Sequence, residues 1–234
     1  MKPYLNYGGG VNSTAMAVLI LSDDNYAEYR DGLRTVFCDT KAELPETLCY
    51  VQYFNGWLRH NYGLNIETLS SDGLLNYCKR LNMIPSRRFK WCTRKFKGDL
   101  IDAWAEKNGL DVCLVGYDAG ESHRAERADG YVSRNRYPLI DAGLDRAACV
   151  ELIKSVGLRL PNRSGCFCCP HANKARFEDL RTYHPELFDY VCEMEANIVT
   201  SNGRRMYIKD KPLREWINAP GLELDEPCQE CEIN

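Results

Sequence analysis

Twelve cysteines in a chain of 234 residues are the first feature that could do chemistry. Cys166-Phe167-Cys168-Cys169, set between Gly165 and Pro170, contains a Cys-x-x-Cys pair. Two thiolates at that spacing can share one metal centre, either zinc or an iron–sulfur cluster. A second pair, Cys228 and Cys231, stands in the acidic tail. The two pairs together could form a four-cysteine zinc site, but they lie much farther apart than in a compact zinc ribbon. Cys38, Cys49, Cys78, Cys113, Cys149 and Cys192 fall in apolar or helical stretches and are expected to be small buried hydrophobes.

Two further segments invite chemistry. Tyr7-Gly8-Gly9-Gly10-Val11-Asn12-Ser13-Thr14 joins an apolar run to a helical pattern. Glycines let backbone N–H groups approach phosphate oxygens, and the positive end of the following helix dipole favours an anion. The loop lacks the Gly-Lys-Ser/Thr ending of a Walker A motif and the third glycine of a dinucleotide fingerprint. From Lys79 to Lys97 the chain carries Lys79, Arg80, Arg87, Arg88, Lys90, Arg94, Lys95 and Lys97 with no acidic residue, interleaved with Phe89, Trp91 and Phe96. Such a stretch could follow the phosphates of tRNA or DNA while its rings stack on bases, or surround a small polyanionic nucleotide. His123 and His171 lie near these motifs without ligand spacing; His171 could cap the next helix. His60 and His184 read as surface or structural residues.

These residues need a scaffold, and the pattern supplies one. Strands are expected over Pro3–Tyr7, Leu33–Phe37, Ile66–Leu69 and Val112–Val115. Helices are expected from Ser13 (capped by Ser13 or Asn12), over Pro45–Arg59, Lys95–Lys107 and Asp145–Val156, and over Ala172–Asn197 with an interruption at Pro185. Strands alternating with helices imply an α/β fold, a parallel sheet with helices on both faces, and ligands beyond the carboxyl ends of its strands. The Gly8–Gly10 loop, Asp39 and Gly116 all fall at such ends. A mostly helical, cysteine-containing region follows, so the expected division is residues 1–145 and 146–234. At 44% hydrophobic, 27% charged and net charge −3, the chain is expected to fold and not to bind DNA tightly without specificity. Its longest strongly apolar run, Ala15–Leu21, is too short to span a bilayer, and the first residues contain no signal-peptide core. A soluble, cytoplasmic protein with no membrane partner is expected, with its cysteines reduced or metal-bound.

The glycine loop resembles the Ser-Gly-Gly-x-Asp-Ser pattern of the PP-loop (adenine-nucleotide α-hydrolase) superfamily, and the chain is most similar to its phosphoadenosine phosphosulfate (PAPS) reductase family. Phe37-Cys38-Asp39-Thr40-Lys41-Ala42-Glu43-Leu44-Pro45-Glu46-Thr47 resembles that family's Asp-Thr-Gly-x-x-x-Pro-Glu-Thr segment. Trp91-Cys92-Thr93-Arg94-Lys95 resembles its cysteine–lysine region, and Gly116 with Glu121, Ser122 and Arg124 its later nucleotide loop. The likeness runs from about residue 4 to 170. It implies a Rossmann-like sheet binding ATP, or APS or PAPS, with Gly8, Gly9, Gly10, Asn12, Ser13, Thr14, Asp39, Gly116 and Glu121 around the nucleotide. Lys95 and Arg124 would neutralise phosphate charge. Two departures stand out: Tyr7 replaces Ser, and Asn12 replaces Asp, which places any Mg²⁺ role of that position in question. Asp39 could compensate.

The resemblance also implies a 4Fe-4S cluster held by Cys92, Cys166 and Cys169, with Cys168 or Cys228 as further candidates and Zn²⁺ as the alternative. Related reductases carry two adjacent cysteines where this chain has Trp91-Cys92, which suggests a three-cysteine cluster with one open iron. Those reductases end in Glu-Cys-Gly-x-His, whereas this chain ends Glu230-Cys231-Glu232-Ile233-Asn234, and Glu232 would oppose the thiolate an attacking Cys231 needs. Three functions follow as expectations. The preferred one is ATP-dependent adenylylation and sulfur transfer onto tRNA, DNA or a metabolite. The second is APS or PAPS reduction with Cys231 as nucleophile and a thioredoxin-type reductant. The third is a nucleotide-binding module with structural zinc. A homo-oligomer is expected.

Overall fold

The computed structural model describes residues 1–87, 91–129, 134–200 and 203–219. Five strands, β1 (Pro3–Asn6), β2 (Arg34–Asp39), β3 (Ile66–Ser70), β4 (Val112–Leu114) and β5 (Asn135–Arg136), form one all-parallel sheet in the order β3-β2-β1-β4-β5. Side chains alternate between its faces, as pleating requires. Leu5, Phe37 and Leu114 enter a core with α1 (Val11–Ser22), α2 (Pro45–Tyr62) and the later helix at 146–155, whereas Tyr4, Val36, Cys38 and Cys113 enter a second core.

The second core takes its helical side from the 91–107 segment. It runs as α4 (Trp91–Thr93), a π-helical turn (Arg94–Gly98) and α5 (Asp99–Lys107), and α5 supplies Ile101, Trp104 and Ala105. Trp104 packs edge-on against Tyr4 at 5.7 Å and donates its indole N–H to Glu67 at 3.1 Å. The expected elements are therefore present, with shifted ends. Helix α1 begins at Val11, and its cap is Gly10 rather than Ser13 or Asn12, because the chain already turns helical as it leaves the glycines.

A third core lies beyond the sheet. It joins α3 (Leu74–Leu81), Phe96, the cysteine loop, α9 (Lys174–Tyr183), α10 (Pro185–Asn197) and α11 (Leu213–Asn218). Helix α6 (Ser122–Asp129) reaches the second core through Ala125, and α7 (Pro138–Asp141) and α8 (Arg146–Ser155) reach the first. Helix α8 is capped by the Asp145 carboxylate and packs on α1 inside the first core through Cys149 and Ile153. The break between α9 and α10 falls before Pro185, whose ring cannot continue a helix but suits its first turn. His184, at that break, lies 2.5 Å from Glu46 at the start of α2. The cap of α9 is Asn173, not His171. Two cysteines depart from expectation: Cys49, on the outer face of α2, is exposed, and Cys192 is half-buried. Among the described residues no helix is long and apolar enough to cross a membrane.

Candidate functional site

The glycine loop lies at the carboxyl end of β1. Gly9 has φ +74, and a Cβ there would stand 3.0 Å from the Thr47 methyl and 3.2 Å from the Val51 methyl of α2, so a side chain is excluded on both counts. Gly116, just past β4, meets the loop from the other side: a Cβ would lie 3.0 Å from the backbone N and Cα of Ser13. A left-handed turn packed against methyl groups explains Gly9, and close approach of two backbones explains Gly116. Inside the loop, Thr14 donates its hydroxyl to the Gly10 carbonyl at 2.8 Å, so Tyr7 must be the donor in the 3.1 Å Tyr7–Thr14 hydrogen bond. Ser13 also bonds the Gly10 carbonyl, at 3.2 Å. Tyr7 is a core residue stacked on Phe54 at 5.0 Å, which accounts for its replacing a serine.

Asn12 is buried and fully engaged. Its amide donates to Asp118 at 3.1 Å and Glu121 at 3.0 Å, and its carbonyl accepts from Arg146 at 2.7 Å. Both amide hydrogens are thereby used, so this side chain has no donor left for a phosphate. Glu121 also pairs with Arg124, which is buried with its guanidinium 4.2 Å from the Tyr117 ring. Asp39, at the end of β2, accepts from the Lys41 backbone N–H at 2.7 Å and pairs with the Lys41 ammonium at 2.8 Å.

The cysteine loop is zipped onto the segment that follows β2. Phe167 N–H donates to the Ala42 carbonyl at 2.9 Å, Leu44 N–H to the Gly165 carbonyl at 3.4 Å, and Glu43 bridges Cys166 in antiparallel fashion. A turn closed by Cys169 N–H to the Cys166 carbonyl then brings the thiols round. Cys92, Cys166, Cys168 and Cys169 wall one cavity of about 40 Å³ together with Thr40 and Lys97. Thr40 Oγ1 lies 3.2 Å from the Cys166 sulfur and donates to Glu43 at 3.0 Å, and Glu43 pairs with the buried Lys97 at 3.3 Å. Burial pushes the Cys92, Cys166 and Cys168 thiols up from their ordinary range.

One expected site residue stands away from the thiol cavity. Lys95 is exposed, its ammonium 4.7 Å over the Tyr77 ring, because two positions along a helix turn a side chain to nearly the opposite face. Lys97, on that opposite face, walls the cavity. Glu43 and Lys97 were not singled out by sequence reading, since an ion pair between distant positions has no local signature. Cys228 and Cys231 lie outside the described residues.

Within the basic stretch, three charges are answered by acidic side chains. Arg80 pairs with Asp72, Arg94 with Asp99 and Asp102, Lys97 with Glu43, and Lys79 lies over Tyr190. Trp91 and Phe96 pack with Tyr77 at 5.2 and 5.6 Å as core aromatics rather than as a platform for bases. Arg88, Phe89 and Lys90 lie outside the described residues.

Among the described residues no group of three or more His, Cys, Asp or Glu side chains is arranged to hold a single metal ion. The donor set around the cavity suits an iron–sulfur cluster, in which each thiolate takes its own iron and the sulfurs ring a volume instead of converging on a point.

No protein-family model matches the chain. An uncharacterized protein of Methanocaldococcus jannaschii is 25% identical over 196 residues, which cover 79% of this chain and 45% of that protein, so the chain spans about half the length of the relative it matches. The U34-tRNA thiolase NcsA of Methanococcus maripaludis, solved with its 4Fe-4S cluster, superposes with a TM-score of 0.51 at 12% identity over 94% of this chain and 80% of its own. The PAPS reductase of Candida auris, solved as a phosphate complex, gives a TM-score of 0.44 at 12% identity over 71% and 81% of the two chains. The likeness to the thiolase is one of fold, and the Rossmann-like α/β architecture expected of a PP-loop protein is the one the chain has.

Proposed function

We propose that the chain is an adenine-nucleotide-dependent enzyme of sulfur chemistry, with nucleotide phosphates on the Gly8–Gly10 loop and an iron–sulfur cluster in the thiol cavity. The observation that carries this reading is adjacency. The glycine loop leaves β1, Thr40 follows the neighbouring β2, and Thr40 touches Cys166. An anion cradle and a pocket of thiols thus share the carboxyl edge of two paired strands, where α/β sheets place their ligands.

The preferred reaction is adenylylation followed by sulfur transfer. An acceptor oxygen attacks the α-phosphorus of ATP, the bond to the bridging oxygen of the β-phosphate breaks, and pyrophosphate leaves with the electron pair. Hydrosulfide then adds to the acceptor carbon, the C–O bond breaks, and AMP leaves with its electron pair. Backbone N–H groups of Gly8, Gly9 and Gly10 and the start of α1 at Ser13 would hold the charge that develops on pyrophosphate, and Thr14, whose N–H and hydroxyl both donate to the Gly10 carbonyl, would shape the loop. Gly116 would keep α1 close to β4, and Arg124, through Glu121 and Asn12, would fix the loop from behind. Lys97 would face anionic sulfur in place of Lys95. Cys92, Cys166 and Cys169 would hold the cluster, which when bound supplies iron to polarise sulfur. The shared fold with a tRNA thiolase supports a tRNA acceptor.

A second reading, sulfonucleotide reduction, is favoured by Asn12. Its side chain is neutral and committed to Asp118, Glu121 and Arg146, so it brings no carboxylate to a Mg²⁺ ion. APS or PAPS arrives already activated and needs no metal-assisted attack at phosphorus. In that reaction a cysteine thiolate, Cys231 by resemblance, would attack the sulfonate sulfur and release AMP or its 3′-phosphate.

Iron-loaded protein incubated anaerobically with ATP, sulfide and unfractionated tRNA distinguishes the two. AMP and pyrophosphate formed in equal amounts, dependent on tRNA, support thiolation. Sulfite released from APS or PAPS with a dithiol, and no tRNA-dependent AMP, would replace it with the reductase.

A further inference from the structure

Sequence offers Cys168 and Cys228 as alternatives for completing a four-cysteine site, and the position of Cys168 argues for it. Cys168 is the third residue of the Cys166–Cys169 turn, is 1% exposed, and walls the same cavity as Cys92, Cys166 and Cys169. Cys78, equally buried on α3, is not among the residues that wall the cavity.

We propose that Cys168 is a fourth protein ligand, so that Cys92, Cys166, Cys168 and Cys169 each bind one iron of the cluster. The adjacent pair that resembling reductases carry at their first cysteine site is then moved to the second, as Cys168-Cys169. The inference rests on the reading that the cavity holds a cluster. Its consequence is chemical: no iron is left open, so added sulfide or a substrate thiol finds no vacant coordination position, direct polarisation of sulfur by an iron drops out of the proposed reaction, and sulfur for transfer must be carried elsewhere.

The test uses the whole chain, purified anaerobically and loaded with iron-57, without reference to turnover. The wild type is expected to show a cluster whose Mössbauer spectrum contains no distinct fourth iron, and whose reduced EPR spectrum is unmoved by added sulfide. Cys168→Ala is expected to lose about a quarter of its iron on mild oxidation, giving a three-iron EPR signal, while Cys78→Ala keeps the wild-type spectrum. A distinct iron site in the wild type, or an EPR change on adding sulfide, would overturn the proposal. So would a Cys168→Ala spectrum identical to wild type. The wild-type measurements decide the matter even if the variant fails to fold. Protein that binds no iron at all would instead overturn the cluster reading on which the proposal stands.

Discussion

Lys97 and Glu43 illustrate how much depends on single side chains near the cavity. Their side chains are 9% and 1% exposed and 3.3 Å apart. Removing one partner of a buried pair leaves a charge with no compensation, which costs about 3–5 kcal/mol, whereas removing both can be nearly neutral. Lys97→Met is therefore expected to lower unfolding stability by that amount in urea titrations, and Lys97→Met with Glu43→Gln to recover most of it. A single variant as stable as wild type would mean the pair is not formed. At Asn12 the expectation runs against the usual residue of the motif. Asn12→Asp would replace a donor to Asp118 and Glu121 with a third carboxylate, at a cost of about 3 kcal/mol from two lost hydrogen bonds and repulsion. Protonation of the new carboxyl would restore a donor, so the deficit against wild type should shrink as pH falls. Thermal melts at several pH values would show it, and a deficit that grows toward acid pH would contradict the bonding seen here. None of these partners was legible in the sequence: Asn12 and Asp118 are over a hundred positions apart, and only the fold brings them within 3.1 Å.

Among elements, the sheet and its helices were legible because the short continuous runs of buried residues in β1, β2 and β4 and capping signals such as Asp145 are local. The ends were less so. A glycine can cap a helix without a side chain, which is how α1 starts two residues before Ser13. The close contact between β4 and α1 has a direct consequence: Gly116→Ala would place a methyl 3.0 Å from the Ser13 backbone. Relief requires moving α1 or β4, so the variant should lose about 1–3 kcal/mol and weaken nucleotide binding together. Unchanged stability with unchanged affinity would show that the two elements are looser than they stand here. In the third core, Glu195 ties α10 to the chain beyond it. Its buried carboxylate accepts from the Ile208 and Leu213 N–H groups, each at 2.8 Å. Glu195→Ala would orphan both donors at about 1–3 kcal/mol each. Burial raises the Glu195 carboxyl, partly offset by those hydrogen bonds. The folded state thus holds this proton more tightly than the unfolded chain. The stability Glu195 contributes relative to Glu195→Gln is full below the ordinary glutamate range and declines as pH rises through the elevated value. Denaturant midpoints of the two proteins across acidic pH would test the sign.

For the whole molecule, the informative fact is how three cores meet. The glycine loop is anchored in the first through Tyr7 and Val11, the thiols lie in the third, and the join is the 40–44 segment pinned to 165–167 by backbone hydrogen bonds. Sequence order alone located the glycine loop and the Cys-x-x-Cys pair, because both motifs are contiguous. It did not reveal that three charges of the basic stretch, those of Arg80, Arg94 and Lys97, are answered by Asp72, Asp99, Asp102 and Glu43 once the chain closes. The account stands or falls on an adenine nucleotide occupying the cradle. A ligand that binds only the folded state raises its stability, by about 2.7 kcal/mol at one hundred times its dissociation constant. Thermal unfolding of the anaerobically purified chain with Mg·ATP, APS and PAPS in parallel is the measurement that tests this most directly. The account predicts a rise in Tm with Mg·ATP that Gly116→Ala diminishes; no rise with any of the three nucleotides would contradict it.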